Sequence, residues 1–255
     1  MFCACFLRKA RETPGPFVLP PNRETFGQTI SFAVSSHHRL FWQTLFSSMD
    51  APQNVITSEV IGQSLPYEGY MELVREAVAQ GKTTGLEQSN FLAQLTKDNL
   101  AIMERTYQTP LLPDLVELVQ ALPRPQIWLV LTEGWCGDAA VHVPVLAAIA
   151  EQSANLELRT ILRSEQPGVM DAYLTNSGKS IPKLIALNAQ TLQPLGTWGP
   201  RPEVLQQYVL DLKQQELPMP EFIKKALQYS EDNNGEALQA ELLHLLPHWI
   251  RASVA

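Results

Sequence analysis

The sequence is poor in the features that would commit it to several protein classes. No uninterrupted apolar run approaches the roughly 18 residues that a membrane span requires. Only three cysteines occur among the 255 residues, too few for a disulfide framework, which excludes a stapled secreted mini-protein. Basic side chains are in the minority, 19 against 26 acidic ones, for a formal charge of −7. That balance argues against a nucleic-acid binder, whose affinity comes from neutralising phosphates. What remains is 45% hydrophobic and 18% charged, the composition of a globular chain rather than a disordered or fibrous one.

The charge is unevenly spread. Residues 1–48 carry five basic and two acidic side chains, whereas the rest of the chain carries 14 basic and 24 acidic. The first segment also holds Cys3, Cys5 and the pair His37–His38, and Pro14, Pro16, Pro20 and Pro21 would interrupt any regular element there. A secretory signal is a poor fit, because Met1–Phe6 lacks a basic lead and Arg8, Lys9 and Arg11 cut the apolar stretch short. Residues 1–48 are therefore expected to lie outside the folded unit. They would be either a non-native extension from an early start codon or a flexible arm.

From Met49 onward the periodicity predicts helices over Tyr67–Gln80, Leu86–Tyr107 and Pro113–Leu122, the last with proline in its first turn, where the missing N–H costs nothing. Gln126–Thr132 (QIWLVLT) is a continuous β-rich run, suited to a central strand covered on both faces. A helix to about Gln152, a strand at Leu156–Leu162 and a helix at Gly168–Thr175 follow. Lys183–Leu187 and Leu192–Thr197 then pair as a hairpin turning at Asn188–Gln190. Helices at Arg201–Gln215, Pro220–Tyr229 and Glu236–Leu246 complete the chain, the last two separated by an Asn233–Asn234–Gly235 turn. The β-α-β opening requires parallel strands and a right-handed crossover, and the hairpin adds antiparallel strands. An α/β fold results, a mixed sheet with helices on both faces.

Trp135–Cys136–Gly137–Asp138–Ala139 stands where the buried strand gives way to a helix. There a cysteine sulfur faces unpaired backbone N–H groups and the positive end of the helix dipole, both of which favour thiolate. The bland alternative is a buried structural cysteine. Other candidates are weaker. Gly81–Lys82–Thr83 resembles the end of a phosphate loop but follows a helix, with Glu76 where the first glycine belongs. His244 and His248 have metal-ligand spacing, but Pro247 lies between them and no further ligands cluster nearby. Trp128 and Trp249 are most simply packing residues.

Trp135–Cys136–Gly137 resembles the start of the Trp-Cys-Gly-Pro-Cys motif of the thioredoxin superfamily. Pro144, eight residues beyond the cysteine, matches the proline that kinks the active-site helix. Ile181–Pro182, 46 residues beyond it and directly before the hairpin, matches the cis-proline loop that faces the thiol. Asp171–Pro182 (DAYLTNSGKSIP) with Gly196–Pro202 (GTWGPRP) looks more particularly like a bacterial thioredoxin-like subfamily with a single-cysteine Trp-Cys-Gly-Asp motif. The resemblance implies a thioredoxin-like domain over 113–215, a helical extension over 49–112 and a helical tail over 216–255. It implies Cys136 as nucleophile, with Trp135, Gly137, Ile181 and Pro182 receiving an extended substrate by strand addition.

The sequence departs from that pattern at two places. Ala139 occupies the position of the second cysteine, so the intramolecular step that releases product is lost. Val130 stands where the family keeps a buried acid as proton relay. Asp138 is favoured by the helix dipole yet opposes a thiolate beside it. His142, one turn on, would offset Asp138 if protonated, unless the two are merely a solvated helix pair; Lys179 would add positive charge near the sulfur. The expectation is a cytoplasmic protein with one exposed reactive thiol, exchanging disulfides with protein or low-molecular-weight partners and resolved by an external thiol. It would need no metal or cofactor, nucleic acid or membrane. The alternatives are a redox-silent binding module and a sensor that forms sulfenic acid at Cys136.

Overall fold

The computed structural model describes residues 55–254, so the segment 1–48 lies outside the described residues. The elements are α1 (Ser58–Gln63), β1 (Leu65–Pro66), α2 (Tyr67–Ala79), α3 (Asn90–Thr106), α4 (Pro113–Gln120), β2 (Gln126–Thr132), α5 (Gly137–Ala150), β3 (Leu156–Leu162), α6 (Pro167–Ala172), β4 (Lys183–Asn188), β5 (Pro194–Trp198), α7 (Glu203–Gln214), α8 (Met219–Asp232) and α9 (Glu236–Val254). Five strands make one mixed sheet in the order β1-β3-β2-β4-β5. β2 and β3 run parallel, and every other neighbouring pair is antiparallel.

The central position of β2 follows from its sequence. Seven consecutive residues without a charge satisfy hydrogen bonds on both edges and apolar contacts on both faces, and all seven are buried. The β2–α5–β3 crossover supplies the parallel pair, and β4–β5 is the hairpin. The α1 turn and the two-residue β1 strand were not anticipated. Leu65 and Pro66 pair with Thr160 and Arg159 on the outer edge of β3, a segment too short to leave a period in the sequence.

Helix α5 organises the rest. Its sequence GDAAVHVPVLAAIA is apolar around its whole circumference, and every residue from Asp138 to Ala150 is buried. The inner side joins the main core with Trp128, Leu184 and Leu187. On the other side Ala140 and Val141 pack against Tyr70, Met71, Ile102 and Met103, from α2 and α3. The α7–α8 pair has a small core of its own, built from Leu205, Val209, Leu212, Phe222 and Ala226.

The last helix runs further than the periodicity indicates. Pro247 sits inside α9, and the helix continues to Val254. Proline removes one intrahelical donor there, and the burial of Leu238, Leu242, Leu246 and Trp249 against the sheet outweighs that loss. Trp249 meets Trp128 edge to face at 6.0 Å. Its indole rests directly on Gly196 of β5, where a Cβ would collide with the ring.

Gly196→Ala is therefore expected to lower stability by about 1–3 kcal/mol through overpacking. Urea unfolding reads this as a reduced midpoint. Gly62→Ala is the control: nothing lies within 4 Å of the added methyl, and alanine is the better helix residue.

Candidate functional site

Cys136 is the N-cap residue of α5, with extended backbone at φ −82° and ψ 115°. Its amide donates to the Glu133 carbonyl at 3.0 Å, and its carbonyl accepts from the Ala140 amide at 3.0 Å. The approach from β2 is held by residues well upstream. Thr84 donates to the Glu133 carboxylate at 2.8 Å, and the Ser164 amide donates to the same group at 2.9 Å. The Gly134 amide donates to Thr84 Oγ1 at 2.8 Å, and Asn99 Nδ2 donates to the Gly134 carbonyl at 2.9 Å. Glu133 is 1% exposed, so its charge is held by these donors rather than by water. The loop that aims the sulfur is thus fixed before helix α5 begins.

Opposite the sulfur is the Ile181–Pro182 peptide, which is cis. The Cys136 thiol donates to the Ile181 carbonyl at 3.3 Å. Gly199 backs this loop at φ +106°, where a Cβ would strike the Pro182 carbonyl oxygen. Only glycine combines that conformation with that approach.

The sulfur is not on the surface. Cys136 is 7% exposed, which corrects the expectation of an exposed thiol. It lines a cleft of about 100 Å³ whose walls include Leu95 and Asn99 of α3, Ile181, and Ile223 and Leu227 of α8. The physical reason is the demand of α5 for cover: the helices that shield it also overhang its N-terminus. Ile181 and Pro182 are buried too, Ile181 at 1% exposure, so the edge expected to receive an extended chain is covered in this conformation. Trp135 is 6% exposed, with the Arg163 guanidinium 5.0 Å from its ring centroid.

The charge arrangement also differs from expectation. Asp138 is paired by Arg201, which donates to its carboxylate through Nε at 3.1 Å and through Nη2. Both side chains are more than nine-tenths buried. Arg201 also donates to Gln206 at 3.1 Å. His142 does not supply the compensating charge. Its Nδ1 donates to the Asp138 backbone carbonyl at 2.7 Å, and its ring packs 5.5 Å from Trp198. Burial pushes its pKa below the usual 6.5, so the imidazole is neutral near pH 7. Lys179 is exposed and pairs with Asp171 at 2.6 Å, so its ammonium is engaged away from the role expected of it.

Sequence reasoning therefore missed Arg201, Glu133, Thr84 and Asn99. Arg201 was visible in the Gly196–Pro202 segment, but nothing in its spacing pointed 63 residues back to Asp138. Buried Tyr70 was read as a helix-face residue; its hydroxyl lies 3.2 Å from Thr132 Oγ1, and burial holds it neutral. Among the described residues no group of three or more His, Cys, Asp or Glu is placed to hold a metal ion. No described helix is long and apolar enough to cross a membrane.

A β-α-β unit and hairpin with a cysteine capping the first helix, faced by the residue before a proline, define a thioredoxin-like protein. The family model described as thioredoxin matches residues 85–217, over half the chain, and the chain belongs to that family. Two solved structures are similar to it at 17% identity and a TM-score of 0.43. One is a Pseudomonas aeruginosa protein of unknown function, with 75% of this chain and 93% of that one covered. The other is an HIV epitope scaffold, at 76% and 95% coverage. No curated protein matches the chain.

Arg201→Met leaves the Asp138 carboxylate buried without its cation and is expected to cost about 3–5 kcal/mol in urea unfolding. Asp138→Asn combined with Arg201→Met should cost less than Arg201→Met alone. For His142 the folded pKa lies below the unfolded one, so its contribution is complete above pH 6.5 and is lost as pH falls below that value. The difference in unfolding free energy between wild type and His142→Leu should shrink across that window.

Proposed function

We propose that the protein is a single-cysteine thiol–disulfide exchanger of the Trp-Cys-Gly-Asp type, acting on low-molecular-weight disulfides rather than protein chains. The observation that carries the reading is the Cys136 sulfur at the foot of an apolar cleft of about 100 Å³, 3.3 Å from the Ile181 carbonyl. Ala139 offers no second sulfur, and burial of Ile181 leaves no edge for an extended polypeptide. A cleft of this size between α3 and α8 favours a small disulfide over a polypeptide.

The exchange begins when the thiol loses its proton and its hydrogen bond to Ile181. The Cys136 thiolate attacks one sulfur of a small disulfide; the Cys136–sulfur bond forms, the substrate S–S bond breaks, and the departing thiolate takes up a proton. A second small thiol, as thiolate, then attacks the mixed disulfide and restores Cys136. The N-terminus of α5 favours the thiolate in each step. Residues 113–215 would form the domain, with 49–112 and 216–255 as the helical additions that shape the cleft. The external thiol would be the pool of a reducing cytoplasm.

A second reading is a redox-silent thioredoxin-fold module. It is favoured by the thiol acting as donor to Ile181, a bond available only to the protonated sulfur.

Incubation with diethyl disulfide, followed by intact mass measurement, separates the two. In a Cys3→Ser/Cys5→Ser background, which leaves Cys136 as the sole thiol, the expected product is one thioethyl adduct, and none when Cys136→Ser is added, with no reduction of insulin. Ile223→Ala, which widens the cleft, should accelerate adduct formation about tenfold, a barrier change of about 1.4 kcal/mol. An unmodified Cys136 at neutral and alkaline pH would leave the silent module standing. Rapid insulin reduction would instead overturn the restriction to small substrates.

A further inference from the structure

The side chains around Cys136 give its cleft a charge of one sign. Asp98 and Asp138 both line it, and no lysine, arginine or histidine is among the described residues that do. Asp138 is neutralised by Arg201, both side chains being more than nine-tenths buried. Asp98 is not: it is exposed on α3, accepts from Gln94 Nε2 at 2.8 Å, and takes part in none of the ion pairs among the described residues. Arg163, over the Trp135 ring, is not part of the lining and donates through Nη1 to the Lys179 carbonyl at 3.1 Å. With the Asp138–Arg201 pair counted as neutral, the lining carries one negative charge, and a second once Cys136 ionises.

Asn99 is an independent observation. It is 3% exposed and lines the same cleft. Its amide orientation is fixed, because only the nitrogen can donate to the Gly134 carbonyl. Its Oδ1 then has no donor among the described residues and is the end left for a ligand. The Ile181 carbonyl is a further acceptor, released when the thiol that donates to it ionises. A carboxylate, an amide oxygen and a carbonyl all accept and cannot donate. The group that answers such a set is an ammonium, with three donors and a positive charge.

We infer that the disulfide taken by this cleft is an aminoalkyl one, its ammonium held by Asp98 and Asn99 Oδ1; the inference rests on the exchange reading and narrows its substrate. The volume favours a short chain. A cavity of about 150 Å³ holds benzene, so about 100 Å³ admits roughly four heavy atoms, one aminoethylthio half. The Cys136 thiolate attacks the nearer sulfur, the Cys136–sulfur bond forms as the substrate S–S bond breaks, and the other half leaves as a thiolate that takes a proton from water. A carboxylate-bearing disulfide would instead bring another anion beside Asp98 and the thiolate.

The test follows mixed-disulfide formation by intact mass in the full chain carrying Cys3→Ser and Cys5→Ser, at pH 7 and about 0.01 M ionic strength, where exposed charges are least screened. The probes are cystamine, diethyl disulfide and dithiodiglycolate. Each rate is divided by that of the same disulfide with free mercaptoethanol, so that leaving-group differences cancel. After that division cystamine is expected to react about tenfold faster than dithiodiglycolate, with diethyl disulfide between them. Asp98→Asn should reduce the cystamine-to-dithiodiglycolate ratio about threefold, and Asp98→Lys should reduce it further. A shift in Cys136 acidity moves both rates alike and leaves the ratio unchanged, so the ratio reads substrate charge alone. A ratio near one in the parent chain, or one that both Asp98 variants leave unaltered, would overturn the inference while the exchange reading stands. No adduct from any of the three probes would overturn the exchange reading itself, and the inference with it.

Discussion

An apolar helix without a polar face must be covered on every side, and α5 imposes that requirement on the whole chain. Burying it against the sheet is not enough, because Ala140 and Val141 point away from the strands and need partners of their own. Helices α2 and α3 meet that need on one side and α8 contributes beside them. The helical additions are therefore part of how the central unit excludes water, not appendages to a self-sufficient domain. The position of the thiol follows from the same cause. It sits at the N-terminus of the helix that has to be covered, and the cover leaves a narrow cleft where an open surface was expected.

The polar groups around Cys136 are likewise arranged for a dry setting. Asp138 would be costly inside the protein without a partner, and Arg201 provides a two-pronged one. Glu133 is held by a threonine hydroxyl and a backbone amide rather than by a cation. His142, neutral and bonded to a main-chain carbonyl, contributes shape and a hydrogen bond instead of charge. The carboxylates nearest the sulfur, Asp138 and Glu133, are thus each held by donors, and the end of α5 adds its dipole.

Much of this architecture was legible in the residues. The seven-residue run of β2 identified the central strand with its correct limits, as did the run of β3, because strong apolar patterning and neighbouring turn residues agree there. The helices other than α1 were found but their ends shifted: α3 begins at Asn90 behind the Ser89 cap, rather than at Leu86. The resemblance carried by Trp135–Gly137, Pro144 and Ile181–Pro182 led to the right family. What stayed hidden is long-range. Exposure of Cys136 depends on α8, which begins more than 80 residues later, and the partner of Asp138 depends on how a distant loop folds back. No local period encodes either. The electrostatic guess failed for a related reason: His142 was judged by its spacing from Asp138, whereas burial decides its protonation.

The two rims of the sheet have a consequence for how copies of the chain meet. On one side the outermost strand is only Leu65–Pro66, and proline has no N–H to offer a further strand. On the other, β5 is five residues long, begins with proline, and carries the ring of Trp249 on its glycine. Among the described residues, the outermost strands are thus only two and five residues long, each carrying a proline. Edge-to-edge ribbon growth, the usual route by which sheet proteins aggregate, is disfavoured along both of these strands.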